Sequence, residues 1–166
     1  MLVYLDDHLL VVNKPPGLSL ATRRADPGAA AMRLFDALST EDRGRVGAGQ
    51  LHLVHRLDVG TSGLVVLARD AETHRELAAA FANRQVAKTY LALVWGRPRP
   101  REGTFEQALG PDRVDRRRMR VDPEGRKAVT RYRNLGVAPH VTLVELTPET
   151  GRTHQIRVHL AAAGHP

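Results

Sequence analysis

The segment His55-Arg56-Leu57-Asp58-Val59-Gly60-Thr61-Ser62-Gly63-Leu64 places a carboxylate beside an arginine, in a turn that opens directly into an apolar run. This run continues to Ala68, and its length is typical of a buried strand. A charged Asp58 at the start of such a strand is costly to bury unless another group pairs with it. Two interpretations follow: Asp58 caps the turn, as aspartate commonly does, or Asp58 is a reactive carboxylate.

Short strand-like segments dominate the rest of the chain, and helical segments interrupt them without a regular βαβ period. This pattern predicts an α+β fold with a mixed, mostly antiparallel sheet and flanking helices. Asp70 is predicted to cap the helix that carries His74, Leu77, Ala78 and Phe81 on one face. The predicted strands lie in residues 3–17 (two strands), 64–68, 88–95, 104–108, 127–133 and 141–147, the other helices in 26–38 and 153–163, and a loop in 41–50.

Charge and composition narrow the class of protein. The 166-residue chain has a net charge of +7, and 22 of its 25 basic residues are arginine. Such a surplus indicates a polyanionic partner, because nucleic-acid binders replace phosphate counterions with cations. The chain has no cysteine, which excludes disulfides and cysteine-based zinc sites. With no apolar run long enough to span a bilayer and no signal peptide, we expect a cytoplasmic protein without a membrane partner.

Four segments together resemble one enzyme family, the RluA-type RNA pseudouridine synthases. His55-Arg56-Leu57-Asp58 resembles the catalytic signature of that family, and Gly151-Arg152-Thr153-His154-Gln155-Ile156-Arg157 resembles a second motif that begins 96 residues later. Lys88-Thr89-Tyr90 is similar to its Lys-x-Tyr strand, and Lys14-Pro15-Pro16-Gly17 to its early Lys-Pro-x-Gly turn. The resemblance implies the catalytic-domain fold of that family and favours a reactive role for Asp58.

The resemblance also implies roles for individual residues. Asp58 corresponds to the nucleophile, Arg157 to the partner that keeps it ionised, and Tyr90 to the residue that packs against the target base. Arg56 corresponds to the residue that takes the place of a uridine flipped out of structured RNA. The expected RNA-binding residues are Arg56, His55, Lys88 and Arg152.

Each role has a structural alternative at the level of the residues. Arg157 fits an exposed helical position, Tyr90 fits a core strand, and Arg56 fits a phosphate contact or a salt bridge. On the helix that carries Arg157, the predicted core-facing residues are Ile156, Leu160 and Ala163. The basic run 115–120 fits a solvated loop as well as a phosphate contact.

Three functional hypotheses follow. The first is an isomerase that converts uridine in structured rRNA or tRNA to pseudouridine, as a monomer and without a metal or cofactor. The second is a catalytically impaired RNA-binding module of the same family. The third is a glycoside hydrolase, which needs a second carboxylate such as Asp70 or Glu145. We expect residues 1–166 to form a single catalytic domain without an accessory RNA-binding domain, ending before the C-terminal strands of the family and therefore less stable than a longer chain.

Overall fold

The computed structural model describes residues 1–22, 26 and 28–166 of the chain. The chain divides into two compact units, Met1–Gln85 and Val86–Pro166. Within the described residues no helix is long and apolar enough to cross a membrane.

An antiparallel four-stranded sheet forms the centre of the first unit, in the order β1-β2-β4-β3. Its first two strands are joined at Asp6, whose Oδ1 accepts hydrogen bonds from the N–H groups of His8 and Leu9 at 2.8 and 2.7 Å. This is the strand-turn-strand predicted for residues 3–17. The strands are β1 Leu2–Leu5, β2 Leu9–Lys14, β3 His52–Leu53 and β4 Gly63–Ala68.

Two helices of the first unit match the predicted segments, α1 at Ala29–Asp36 and α3 at Ala71–Ala82. Pro27, within the range predicted for the first of them, lies outside the described residues. The predicted cap of α3 is confirmed, because the Asp70 carboxylate accepts the Thr73 N–H at 2.8 Å. The predicted inner face of α3 is also confirmed, since its four residues are all half-buried.

The prediction of a loop at residues 41–50 was wrong for residues 41–46, because Thr40–Val46 form helix α2, and is confirmed for residues 47–50. The Ser39 Oγ caps this helix by accepting the Asp42 N–H at 3.1 Å. Acidic residues occupy its first turn and arginines its last turn, an order that complements the helix dipole. Val46 is buried at its end, and Gly47 stops it with a φ of 75°. These local signals outweigh the low helix propensity of Gly44.

The second unit contains another antiparallel four-stranded sheet, in the order β5-β10-β9-β6, and a separate hairpin, β7-β8. A buried cluster on one face of the sheet includes Val94, Phe105, Tyr132, Val144 and Leu146. The elements are β5 Tyr90–Trp95, β6 Glu102–Phe105, β7 Leu109–Pro111, β8 Met119–Val121, β9 Thr130–Val137, β10 Val141–Pro148 and α4 Gln155–Ala162.

The predicted α+β class is confirmed, and the strand pairs within both units are antiparallel. The strands predicted at 104–108 and 127–133 are displaced in the structure, and the hairpin was not predicted. The predicted inner face of α4 is only partly right: Leu160 is buried and Ile156 packs on the core cluster, but Ala163 is exposed. The helix ends at Ala162, so Ala163 lies beyond its last turn.

Candidate active site

Asp58 lies in the loop of the first unit that joins β3 to β4. The residue is half-buried, and its carbonyl oxygen accepts the Thr61 N–H at 3.0 Å. This bond closes the turn that the Gly-Thr-Ser sequence predicts. Gly63 then begins β4 with a φ of 128°, a conformation that side-chain-bearing residues rarely adopt. The loop is therefore fixed at both its turn and its exit into the sheet.

A buried lysine is hydrogen-bonded to the same loop. Lys14 is 0% exposed, and its Nζ donates to the carbonyl oxygens of Pro15, Leu18 and Val59 at 2.8, 3.0 and 3.2 Å. The Val59 oxygen also accepts the Gly17 N–H at 2.8 Å. The Lys-Pro-Pro-Gly turn is thus bonded to the residue that directly follows Asp58.

The charge of Lys14 also contributes to the electrostatics of the loop. Burial lowers the pKa of Lys14 below its ordinary value, and the negative charge of Asp58 acts in the opposite direction. The ammonium and the Asp58 carboxylate are therefore close enough to interact.

His55 fixes the start of the loop. Its Nε2 accepts the backbone N–H of Val66 at 3.1 Å, so in the neutral ring the proton lies on Nδ1. The ring stacks on Phe81 of α3, with centroids 4.5 Å apart and planes 18° apart. Because His55 is engaged in the fold in this way, an RNA contact by this residue stays a prediction. Arg56, the next residue, is exposed.

Tyr90 begins β5 in the second unit, where it pairs with Leu146 of β10. The ring is half-buried and packs against the core cluster. Ile156 of α4 packs against the same cluster, so one core holds both Tyr90 and the helix that carries Arg157. The alternative of a core-filling tyrosine is therefore correct as a description of its packing. Its role towards a base stays a prediction.

Three of the predicted basic residues lie in the second unit, on or near α4 and β5. Arg157 is exposed in α4, and its Nη1 lies 3.4 Å from Nδ1 of His154. Arg152 is half-buried, and its Nε donates to the carbonyl oxygen of Lys127 at 3.0 Å. Lys88 is half-buried two residues before β5. Arg152 therefore has a structural bond in addition to any contact with RNA.

Sequence reasoning assigned no role to three buried polar residues, Lys14, Gln155 and His159. The first two lie within the quoted motifs, and His159 lies two residues after the last of them. A signal for Lys14 was present, because Leu10, Val12 and Lys14 alternate along β2 and alternation places all three on one face. A similar signal existed in α4, where Gln155 and His159 lie four residues apart on one helical face.

The carboxylates considered for a hydrolase both have structural roles. Asp70 caps α3, and the hydrogen bonds from the backbone and side chain of Thr73 hold its pKa below the ordinary value. Glu145 accepts a hydrogen bond from Arg133 at 2.9 Å on the sheet of the second unit. Across residues 1–22, 26 and 28–166, no three His, Asp or Glu side chains are grouped so that they could hold a metal ion.

Comparison with known proteins identifies the family. The family model described as RNA pseudouridylate synthase matches residues 8–162, a range that includes both the Asp58 loop and α4. The chain belongs to this family. The resemblance of its short motifs is thereby confirmed over nearly the whole sequence.

Relatives within the pseudouridylate synthase family support the same assignment. The chain is 40% identical over 168 residues to the dual-specificity RNA pseudouridine synthase RluA of Escherichia coli K12, covering 100% of this chain and 73% of that protein. It is 38% identical over 170 residues to the ribosomal large subunit pseudouridine synthase D of Zymomonas mobilis, covering 99% and 52%. The chain spans about half the length of several of these relatives.

Solved structures of the family have the same fold. The human RNA pseudouridylate synthase domain containing 4 is 32% identical and aligns with a TM-score of 0.79 over 99% of this chain and 65% of that chain. The human domain containing 1 is 28% identical and aligns with a TM-score of 0.80 over the same shares.

Proposed function

We propose that this protein converts uridine in RNA to pseudouridine, with Asp58 as its nucleophile. The observation that carries the proposal is the family match over residues 8–162. The matched range contains Asp58, which is half-buried in a loop bonded to the buried Lys14. Asp58 attacks or stabilises the electron-poor sugar or base once the bond between them weakens. Arg157 keeps Asp58 ionised in this scheme.

The reaction is an isomerisation, and its atoms balance without another reactant. The bond between C1′ of the ribose and N1 of the uracil breaks, the base turns, and a new bond forms between C1′ and C5. The proton lost from C5 is balanced by the proton gained at N1. Because nothing is oxidised or reduced, the proposed chemistry requires no redox cofactor.

The proposed substrate is a structured stem-loop of ribosomal or transfer RNA in the cytoplasm, bound by a monomer. The net charge of +7 supports binding to phosphates. Arg56, exposed in the Asp58 loop, takes the place of the uridine that leaves the stack. Tyr90 stacks against the extruded base, a contact worth about 1–3 kcal/mol. Lys88, Arg152 and His55 complete the proposed RNA contacts.

An Asp58→Asn variant tests the proposal. The amide keeps the shape of the carboxylate but not its charge, so we expect no pseudouridine while affinity for RNA is largely retained. Exposed Asp7 provides the matched control, because Asp7→Asn makes the same change outside the loop. Pseudouridine is measured by chemical probing of RNA incubated with each variant.

The outcomes separate the functional hypotheses. Modification by the Asp58→Asn variant would remove Asp58 from the mechanism. RNA binding by the wild-type chain without any pseudouridine would favour the RNA-binding module instead. Release of free uracil would indicate a hydrolase.

A further inference from the structure

A buried glutamine anchors the first turn of α4. Gln155 is 4% exposed, and its Oε1 accepts hydrogen bonds from Thr150 Oγ1 at 2.6 Å and from the Arg152 N–H at 3.0 Å. Its Nε2 donates to the Val129 carbonyl at 2.9 Å and to Thr130 Oγ1 at 2.8 Å. The Arg152 N–H can only donate and the Val129 carbonyl can only accept, so the orientation of the amide is determined.

The same chain of bonds continues to a buried histidine one turn later. His159 is 0% exposed; its Nδ1 lies 3.0 Å from Thr130 Oγ1 and its Nε2 lies 3.0 Å from the carbonyl oxygen of Gln107. That carbonyl can only accept, so Nε2 carries the proton. The Thr130 hydroxyl accepts from Gln155 and donates its own proton to Nδ1. Burial lowers the pKa of His159 below its ordinary value, so the ring is neutral at pH 7 and its Nδ1 is an acceptor.

In this chain of hydrogen bonds, each partner's role as donor or acceptor is set by its neighbours. The Val129 N–H donates to Thr150 Oγ1 at 3.0 Å, and the Thr150 hydroxyl donates to Gln155. From there the bonds run through Thr130 and His159 to Gln107. Loss of one hydroxyl leaves buried donors or acceptors unpaired on both sides of it, so the chain acts as a unit. It ties α4 to β9 and to the segment between β6 and β7.

Arg157 lies on the side of α4 opposite to the hydrogen-bonded residues Gln155 and His159. Gln155 and His159 are four residues apart and share the inner face, whereas Arg157 is two residues from each and about 200° around the axis. Arg157 is exposed, in agreement with this geometry. The helix has eight residues, and the side chain of its N-cap residue, His154, makes no capping hydrogen bond. A helix this short is marginal alone, so its rotation and position depend on tertiary anchors.

We propose that Gln155, Thr130 and His159 are positioning residues that fix the rotation of α4 and thereby the direction of the Arg157 side chain. This inference rests on the proposed function, in which Arg157 acts on Asp58. An error of about 1 Å in the placement of such a group can lower the rate about 100-fold. The chain of bonds therefore contributes to turnover through Arg157 and not through contact with RNA.

Two substitutions of Thr130, each made in the 166-residue protein, form a matched pair. Thr130→Val keeps the volume of the side chain and removes the hydroxyl, whereas Thr130→Ser keeps the hydroxyl and removes a methyl group. We expect Thr130→Val to lower the single-turnover rate at saturating RNA about 10- to 100-fold, with RNA affinity within about twofold. Thr130→Ser should retain the wild-type rate within about threefold, even if its melting temperature falls. Equal rates in the two variants would overturn the proposal.

A double-mutant cycle with Arg157→Lys separates positioning from general destabilisation. If Thr130 acts through Arg157, Thr130→Val should change the rate less than about twofold in the Arg157→Lys background. Val144→Ala, a change in the buried core of the same unit, should lower the melting temperature while its effect on the rate remains the same in both backgrounds. Full, independent losses from Thr130→Val and Arg157→Lys would overturn the proposal.

Failure of the proposed function gives a different result. A wild-type chain that makes no pseudouridine, or an Arg157→Lys variant with the wild-type rate, would refute the assignment of Arg157 and the positioning role with it. Nitrogen-15 NMR of the histidine rings provides a readout independent of activity. We expect the neutral Nε2–H form of His159 in the wild type at pH 7 and in both variants, because the Gln107 carbonyl still accepts from Nε2. The Nδ1 resonance should shift in Thr130→Val, where it loses its donor, and not in Thr130→Ser. A charged ring or an Nδ1–H form in the wild type would overturn the bond directions on which the inference depends.

Discussion

Replacing Lys14 with methionine should lower the free energy of unfolding of the first unit by about 2–4 kcal/mol. Methionine has a similar length and no donor, so the change removes three hydrogen bonds from a fully buried position. The turn that holds the Asp58 loop would lose the Lys14 bond to Val59 and keep the bond from the Gly17 N–H. We therefore also expect slower turnover under conditions in which the variant remains folded.

The magnitude follows from the state of each carbonyl after the change. The Val59 oxygen keeps the Gly17 N–H, whereas the oxygens of Pro15 and Leu18 lose the donor supplied by Lys14. Two such losses cost about 1–3 kcal/mol each, or about 2–6 kcal/mol together. Removing a buried ammonium returns part of this cost, because taking a charge out of water is itself unfavourable. The lower half of the range is therefore expected.

Thermal and urea unfolding followed by circular dichroism measures the effect. For a chain of this size, about 2–4 kcal/mol corresponds to a fall of about 5–15 °C in melting temperature. Lys127 is exposed, so Lys127→Met is the matched control, and its effect should stay within about 0.5 kcal/mol. Equal stability of the Lys14→Met variant and the wild type would refute the reasoning, as would equal losses in both variants.

Four further predictions use other parts of the chain. Burial lowers the pKa of His159 in the folded protein below its ordinary value of 6.5. Between the folded and unfolded pKa values the unfolded state therefore binds more protons, so the free energy of unfolding should fall as the pH drops below 6.5. Urea unfolding across a pH series should show this loss in the wild type and not in His159→Gln. Ser39→Ala should destabilise the first unit by about 1 kcal/mol through loss of the α2 cap, measured by the same unfolding curves. Arg157→Lys should slow single-turnover conversion, because a point charge does not replace a planar fork. RNA affinity, followed by fluorescence anisotropy, should fall log-linearly with salt, with a slope of about −0.7 per phosphate neutralised in single strands; a flat dependence would contradict phosphate-driven binding.

Local sequence signals predicted the elements whose cause is local. Alternation and turn residues predicted the first strand pair, and the apolar run after Ser62 predicted β4. Asp70 predicted the start of α3, because an N-cap acts within its own turn. Helix α2 carries signals of the same kind, with Ser39 before two acidic residues, and the loop prediction gave too much weight to Gly44. The motifs around Asp58 and Arg157 predicted the family for a similar reason, since each is contiguous in sequence.

Only the tertiary structure decided which polar residues are buried and what they bond. Lys14 reads as a turn residue in sequence, yet its ammonium reaches the carbonyl of Val59, 45 residues later. His159 reads as a helical histidine, yet its ring bonds to Thr130 and Gln107, 29 and 52 residues earlier. Ala163 fits the inner face of α4 by periodicity and lies outside because the helix ends before it. A hydrogen bond between distant residues leaves no periodic signal in the sequence, so its partners become known only when the strands and helices have packed.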